Sequence, residues 1–246
     1  MKRILILAAL AVLTVASASV AQNTAVIAGG PHDLSNGSAV RNSNATINGQ
    51  TCVFCHTPHG GANSIPLWNR TSPSGASYQL YTSSTSDATT TGSQIAGSVS
   101  GSCMSCHDGT MAMDVLVNVN GLPFTSAVSF TRQATAKANY TSTGGGGSNL
   151  MASGLPFLGT DLRNDHPVSI IYETARAGSP TGFVTQVQSG AKITVGASNP
   201  VPLYGSSSAT ATVECASCHN PHNNSLGSFL RKANTGSAIC LSCHIK

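Results

Sequence analysis

The chemistry available to this 246-residue chain is concentrated in eight cysteines and eight histidines. All eight cysteines fall into four C-x-x-C-H motifs, Cys52–His56, Cys103–His107, Cys215–His219 and Cys240–His244. That spacing suits covalent attachment of a c-type haem. Two thiols add across the vinyl groups, and the adjacent histidine takes one axial face of the iron. One such motif is weak evidence, but four that use every cysteine make a strong signal.

The histidines match. His56, His107, His219 and His244 lie inside the motifs, while His32, His59, His166 and His222 lie outside. Four irons need four second axial ligands, and four imidazoles are spare. The expectation is four bis-histidine haems, held covalently by Cys52, Cys55, Cys103, Cys106, Cys215, Cys218, Cys240 and Cys243. Met111, Met113 and Met151 are alternative axial ligands, although apolar filling is the commoner use of methionine.

Two other uses of paired cysteines fit less well. Disulfides within or between such short hairpins would staple almost nothing. Zinc knuckles use C-x-x-C pairs, but they do not require a histidine after every second cysteine.

Residues 1–21 read as a secretory signal peptide: Lys2 and Arg3, a twelve-residue apolar run Ile4–Val15, then small residues ending at Ser19-Val20-Ala21, with Ala16-Ser17-Ala18 as second cleavage choice. That run falls short of the roughly 20 residues that span a bilayer. The expected location is therefore secreted, extracellular or at the cell surface, with the periplasm as alternative. Charged residues make up only 8% of the chain, against about 25% in ordinary soluble domains. Porphyrin then supplies most of the core, and the polypeptide is its wrapper. The formal charge of +4 loses Lys2 and Arg3 on processing, and propionates outweigh each ferric centre by one charge. The oxidised holoprotein is then slightly negative. With no basic cluster and no interleaved aromatics, nucleic acid is not expected as a partner.

One pattern occurs twice. The first copy runs His32-Asp33-Leu34-Ser35, Cys52–His59, Pro66–Arg70, then Cys103–His107. The second runs His166-Pro167-Val168-Ser169, Cys215–His222, Ser228–Arg231, then Cys240–His244. The matched elements predict a duplicated two-haem module, at 22–140 and 152–246, with a glycine-rich linker at 141–151. The expected fold class is a multihaem cytochrome c, mostly irregular coil with few short helices and short β-strands wrapped around four haems. Short helical turns should carry the motifs. Strands are expected at Asp114–Asn120 and Val168–Glu173, and a hairpin from Phe183–Gln188 and Lys192–Gly196 through Ser189-Gly190. The Ser/Thr-rich insertion Thr71–Thr91 reads as a solvated loop. Five N-x-S/T sequons (Asn36, Asn44, Asn69, Asn139, Asn223) are close to what this composition produces by chance.

His59 follows His56 by three residues, so on a helical turn both rings leave one face. His59 then cannot reach the opposite side of its own haem and must serve another; the same holds for His222. The simplest assignment keeps each within its module: His59 on the Cys103/Cys106 haem, His222 on the Cys240/Cys243 haem, and His32 and His166 on the first and third. Saturated axial positions leave no place for substrate on iron, so an electron carrier rather than an enzyme is expected.

The stretches Gly30–Ser35, Cys52–Gly60, Ile65–Arg70 and Asn164–Ser169 resemble the doubled C-x-x-C-H multihaem cytochromes of metal-reducing bacteria. More closely, they resemble the outer-surface tetrahaem cytochromes of the OmcE type that polymerise into extracellular nanowires. The resemblance implies a head-to-tail homopolymer in which a histidine of one protomer ligates a haem of the next. It also implies donor cytochromes in the periplasm or outer membrane, and extracellular acceptors such as minerals, electrodes or partner cells. On that implication His32, ten residues from the expected new N-terminus, is the leading candidate for exchange. A monomeric periplasmic shuttle and a multihaem reductase are the alternatives.

Overall fold

The computed structural model describes residues 27–34, 42–43, 51–61, 65, 67–113, 116–119, 122–123, 130–131, 141–143 and 150–246. The expected signal peptide lies outside the described residues. Among those described, no helix is long and apolar enough to cross a membrane.

Regular structure is short and sparse, as expected. Among the described residues the α-helices are α1 (Gly92–Ala96), α2 (Val99–His107), α3 (Tyr172–Gly178) and α4 (Cys215–Cys218). Thr91 and Gln94 start α1 with reciprocal side-chain-to-backbone bonds of 2.8 and 3.2 Å, which satisfies amides that the first turn leaves orphaned. A tight corner then leads into α2, which carries Cys103, Cys106 and His107. Gly101 sits in that corner, where a Cβ would lie 2.3 Å from the Ala96 carbonyl oxygen.

The other motifs ride on single turns: 3₁₀ at Cys52–Phe54 and Cys240–Ser242, and α4 itself. In each, the histidine amide donates to the carbonyl of the first cysteine, at 2.8 Å for His56, 2.9 Å for His219 and 2.9 Å for His244. That bond turns both cysteines of a motif toward one side.

The largest sheet is antiparallel: β1 (Val187–Ser189), β2 (Lys192–Val195) and β3 (Val201–Leu203). Ser189 pairs with Lys192, so the expected hairpin is present, with its first strand beginning later, at Val187. Strand β3 was not expected, because Pro202 argues against a strand interior. Its edge position removes the objection, since no partner needs a donor on the outer side. Alternating Ile193, Val195, Val201 and Leu203 face inward onto Tyr172 and Ala211.

Three expectations change. Within Val168–Glu173 only Ile170–Ile171 is strand, paired with Thr212–Val213. Helix α3 takes over at Tyr172, whose buried ring joins the sheet core and whose hydroxyl donates to the Val184 carbonyl. Of the expected strand Asp114–Asn120 the structure describes 116–119, where Asn118–Val119 is strand, paired with Leu122–Pro123.

The insertion Thr71–Thr91 is more than a solvated loop. Tyr78 is buried and donates to the Asp108 carboxylate at 2.8 Å, and Gln79–Leu80 pairs in parallel with Asp161–Leu162. Tyr78, Ile95, Met104 and Leu162 form one apolar cluster. This aromatic anchor, set in a Ser/Thr string, joins the two copies of the repeat. The flanks of the expected linker, Thr141–Thr143 and Leu150–Ser153, pair as antiparallel strands.

Candidate functional site

The two clamps, Cys52–His59 and Cys215–His222, are built alike beyond their sequence. Each motif histidine forms a bridge with a strand-like residue downstream, His56 with Trp68 and His219 with Leu230. The Asn69 amide donates to the Cys55 carbonyl at 2.9 Å, and the Arg231 amide donates to that of Cys218 at 2.8 Å. Leu67 and Phe229 both take positive φ, 61° and 57°.

These contacts set the register of the repeat. Asn69 matches Arg231, and Arg70 matches Lys232, so the sequence pairing of Arg70 with Arg231 is off by one. The matched cations do the same job. Arg70 Nε donates to Ser105 Oγ at 3.1 Å, and Lys232 Nζ donates to Ser242 Oγ at 3.1 Å. Each thus ties a clamp to the serine of the following C-x-S-C-H motif.

The structure brings six of the eight histidines into three facing pairs. His56 and His222 have ring centroids 6.1 Å apart, His32 and His107 6.2 Å, and His166 and His244 6.3 Å. Directly stacked rings would sit much closer. An iron flanked by two imidazoles needs ~6.3 Å between centroids, taking a metal–nitrogen bond of ~2.0 Å and a ring centre ~1.1 Å behind each nitrogen. The residues present therefore fit haem iron between them.

Four rings direct one nitrogen onto a backbone carbonyl. The Nδ1 atoms of His107, His219, His166 and His32 approach the oxygens of Pro156, Ser228, Pro167 and Pro221, at 2.6, 2.7, 2.8 and 3.4 Å. A proton held on Nδ1 leaves the Nε2 lone pair for a metal. Burial, with His107 beside it, holds His32 down at about 4. Burial is also the leading cause that lowers His107, His222 and His244. Neutral imidazole is the ligating form. The Trp68 indole N–H, buried edge-on to the His56 ring, has no hydrogen-bond partner in the polypeptide, a further place for a bound acceptor.

These pairs differ from the pairing expected from the sequence. His222 reaches back to the first motif rather than the fourth. His32 faces His107 rather than His56, and His166 faces His244 rather than His219. His32 is thus engaged within its own chain. The module is not self-contained at its clamps, and separation along the chain gave no sign of that. His59 and His219 are exposed, and neither belongs to a facing pair.

The thiols run on from motif to motif. Burial, then Cys106, pushes Cys55 up to about 12. Cys103 hydrogen-bonds Cys215, which with burial raises it well above its ordinary value. Burial, then Cys218, pushes Cys243 up to about 12. Neighbouring motifs are thus adjacent in space, in the order of the sequence. Among the described residues no group of three or more His, Cys, Asp or Glu side chains is gathered to hold a bare metal ion, unlike a zinc knuckle.

Sequence reasoning missed Asn69, Glu214 and the role of Lys232. Asn69 is fully buried; its Nδ2 donates to Val53 O and Asn118 O, and its Oδ1 accepts from Asn118 N, at 2.6–2.7 Å. Its sequon is therefore internal, serving to brace the first motif.

Residues 208–246 match the doubled CXXCH motif family, a span that holds Cys215–His219 and Cys240–His244. No curated protein matches the chain. The matched motifs, with imidazoles poised at iron-ligating separation, define a c-type cytochrome of the multihaem kind. It binds haem covalently and takes part in electron transfer.

Proposed function

We propose that the protein is a secreted tetrahaem, bis-histidine cytochrome that polymerises head to tail into an extracellular conductive filament. One observation carries this reading: three in-chain histidine pairs at 6.1–6.3 Å, with His59 and His219 left over. The repeat supplies the missing rule. His222, the last residue of the second clamp, faces the motif histidine of the first clamp. By the same rule His59, the last residue of the first clamp, serves the His219 iron of a second clamp, in the next copy. Such a contact is heterologous and does not close on itself, so it propagates.

Contiguous attachment sites, each beside the next, favour electron hopping along the chain. With both axial positions taken on every iron, no substrate binds there, so the protein conducts rather than catalyses. Its partners are copies of itself, donor cytochromes of the cell envelope and extracellular electron acceptors.

His59→Ala is the test. The secreted variant should be monomeric by electron microscopy and carry one high-spin haem among low-spin ones. His32→Ala should instead open the Cys103/Cys106 haem and leave the junction between copies in place. Normal-length filaments of His59→Ala with wholly low-spin spectra would overturn the assignment. Native protein that stays monomeric would support the periplasmic shuttle instead.

A further inference from the structure

The two copies of the repeat bury different charges: Asp33, Arg70 and Asp108 in the first, Glu214 in the second. Glu214, just before Cys215, is 2% exposed. Its Oε2 accepts from Ser98 Oγ at 3.0 Å, from the Ser100 amide at 3.1 Å, from Ser100 Oγ at 2.5 Å and from Ser169 Oγ at 3.2 Å. Its Oε1 accepts from Thr212 Oγ1 at 2.6 Å. All five donors are neutral. The Cys215 amide donates in turn to Ser100 Oγ at 3.0 Å, so the carboxylate lies where the third motif meets α2 of the second. The matching residue before the first motif is Thr51, which is uncharged.

Arg70 is the converse. It is 1% exposed and donates to Ser105 Oγ, Ser105 O, Met113 O and Ala112 O, all neutral acceptors. Among the described residues ion pairs join Arg163 to Asp161 and Arg176 to Glu173, and neither involves Arg70. The guanidinium lies against the second motif and close enough to act on the Cys55 thiol. Hydroxyls and carbonyls could be held together by neutral side chains at less desolvation cost. What these two residues add is charge of opposite sign, fixed and shielded from water, with Arg70 between the first and second motifs and Glu214 between the second and third.

We propose that Glu214 makes the haem of Cys215/Cys218 harder to reduce than a neutral residue there would, and that Arg70 eases reduction of the haem at Cys52/Cys55. The reading rests on haem at all four motifs. Each reduction adds one electron, taken from a neighbouring reduced haem or from an electrode, and transfers no atom. A buried anion opposes the added negative charge and a buried cation favours it. The duplicated modules thereby become unequal, and each protomer holds a step in potential at a set place. A unit charge within about 10–15 Å of a redox centre, at an effective dielectric of about 20, changes its equilibrium about tenfold, or about 59 mV for one electron.

Spectroelectrochemical titration of the intact holoprotein tests this. Glu214→Gln should raise one wave by about tenfold in equilibrium constant, Arg70→Gln should lower another, and Arg70→Lys should leave the curve in place. The shifts should persist at high salt, because buried charges are poorly screened. Arg70→Gln, which removes the charge of opposite sign, keeps the test open even if Glu214→Gln does not assemble. Superimposable curves for Glu214→Gln or Arg70→Gln, with four haems bound and unchanged low-spin spectra, would overturn the proposal. A haem count below four in the wild type would instead break the four-haem reading on which it rests.

Discussion

Asn69 is packed against the first clamp and fully buried: it is 0% exposed, and three backbone groups depend on its amide. Replacing it with Ala would orphan two carbonyls and one amide N–H. A loss of roughly 2–4 kcal/mol is expected, since each unsatisfied buried group costs ~1–3 kcal/mol and some rehydrate. Thermal unfolding of the holoprotein should show a clear drop for Asn69→Ala. Asn223→Ala, at an exposed sequon, should shift stability by no more than about 0.5 kcal/mol. An equal response of the two would refute this role for Asn69. The cysteines and motif histidines were legible in the sequence because thioether attachment demands a fixed local spacing. Asn69, Arg70 and Glu214 were not, because all but one of their partners, Thr212 beside Glu214, are backbone groups and hydroxyls 16 to 116 residues away. The facing histidines share that difficulty, as His56 and His222 are brought together by the fold of both copies.

Between α1 and α2 the backbone leaves no space for a side chain. A Cβ on Gly101 would meet the Ala96 oxygen at 2.3 Å and the Ile95 oxygen at 2.6 Å. Gly101→Ala should therefore cost about 1–3 kcal/mol by overpacking. It should also lower haem occupancy at Cys103/Cys106, read by intact mass, because the strained helix is the one that presents those thiols. Full occupancy with unchanged melting would refute it. Helix α3 offers a pH-dependent counterpart. Hydrogen bonds from Arg176 and Gln186 hold the Glu173 carboxyl down at about 2, against an ordinary 4.5. Because the folded value is the lower one, the contribution is complete above about 4.5 and is lost as pH falls toward 2. Glu173→Gln should melt earlier than wild type at neutral pH and approach it at pH 2. A gap that stays constant across that window would dismiss the ionic contribution. Elements with one dominant signal, such as the β1–β2 hairpin, were readable from alternation alone. Strand β3, hidden by Pro202, and the switch from strand to helix at Tyr172 depended on where the sheet core lay.

On the scale of the whole molecule, the proposed junction gives the filament two unlike ends. One presents a free His59, and the other a His219 iron awaiting a ligand. A His59→Ala chain keeps the second feature and lacks the first. It can therefore accept His59 from a wild-type neighbour but cannot pass the contact on. Added at a small mole fraction during secretion, it should cap growing filaments at one end and shorten them in proportion to its share. Length distributions from electron microscopy, compared with equal additions of His32→Ala, measure the effect. The His32→Ala chain retains both junction features and should enter filaments without shortening them. Exchange between copies through His59 alone requires that contrast. If both variants shorten filaments equally, the junction involves more than this one ligand; if neither does, copies are joined through another surface. The same asymmetry follows from the repeat itself. The second clamp faces the first copy of the same chain through His222 and His56, and in the proposed filament the first clamp faces the second copy of the next chain.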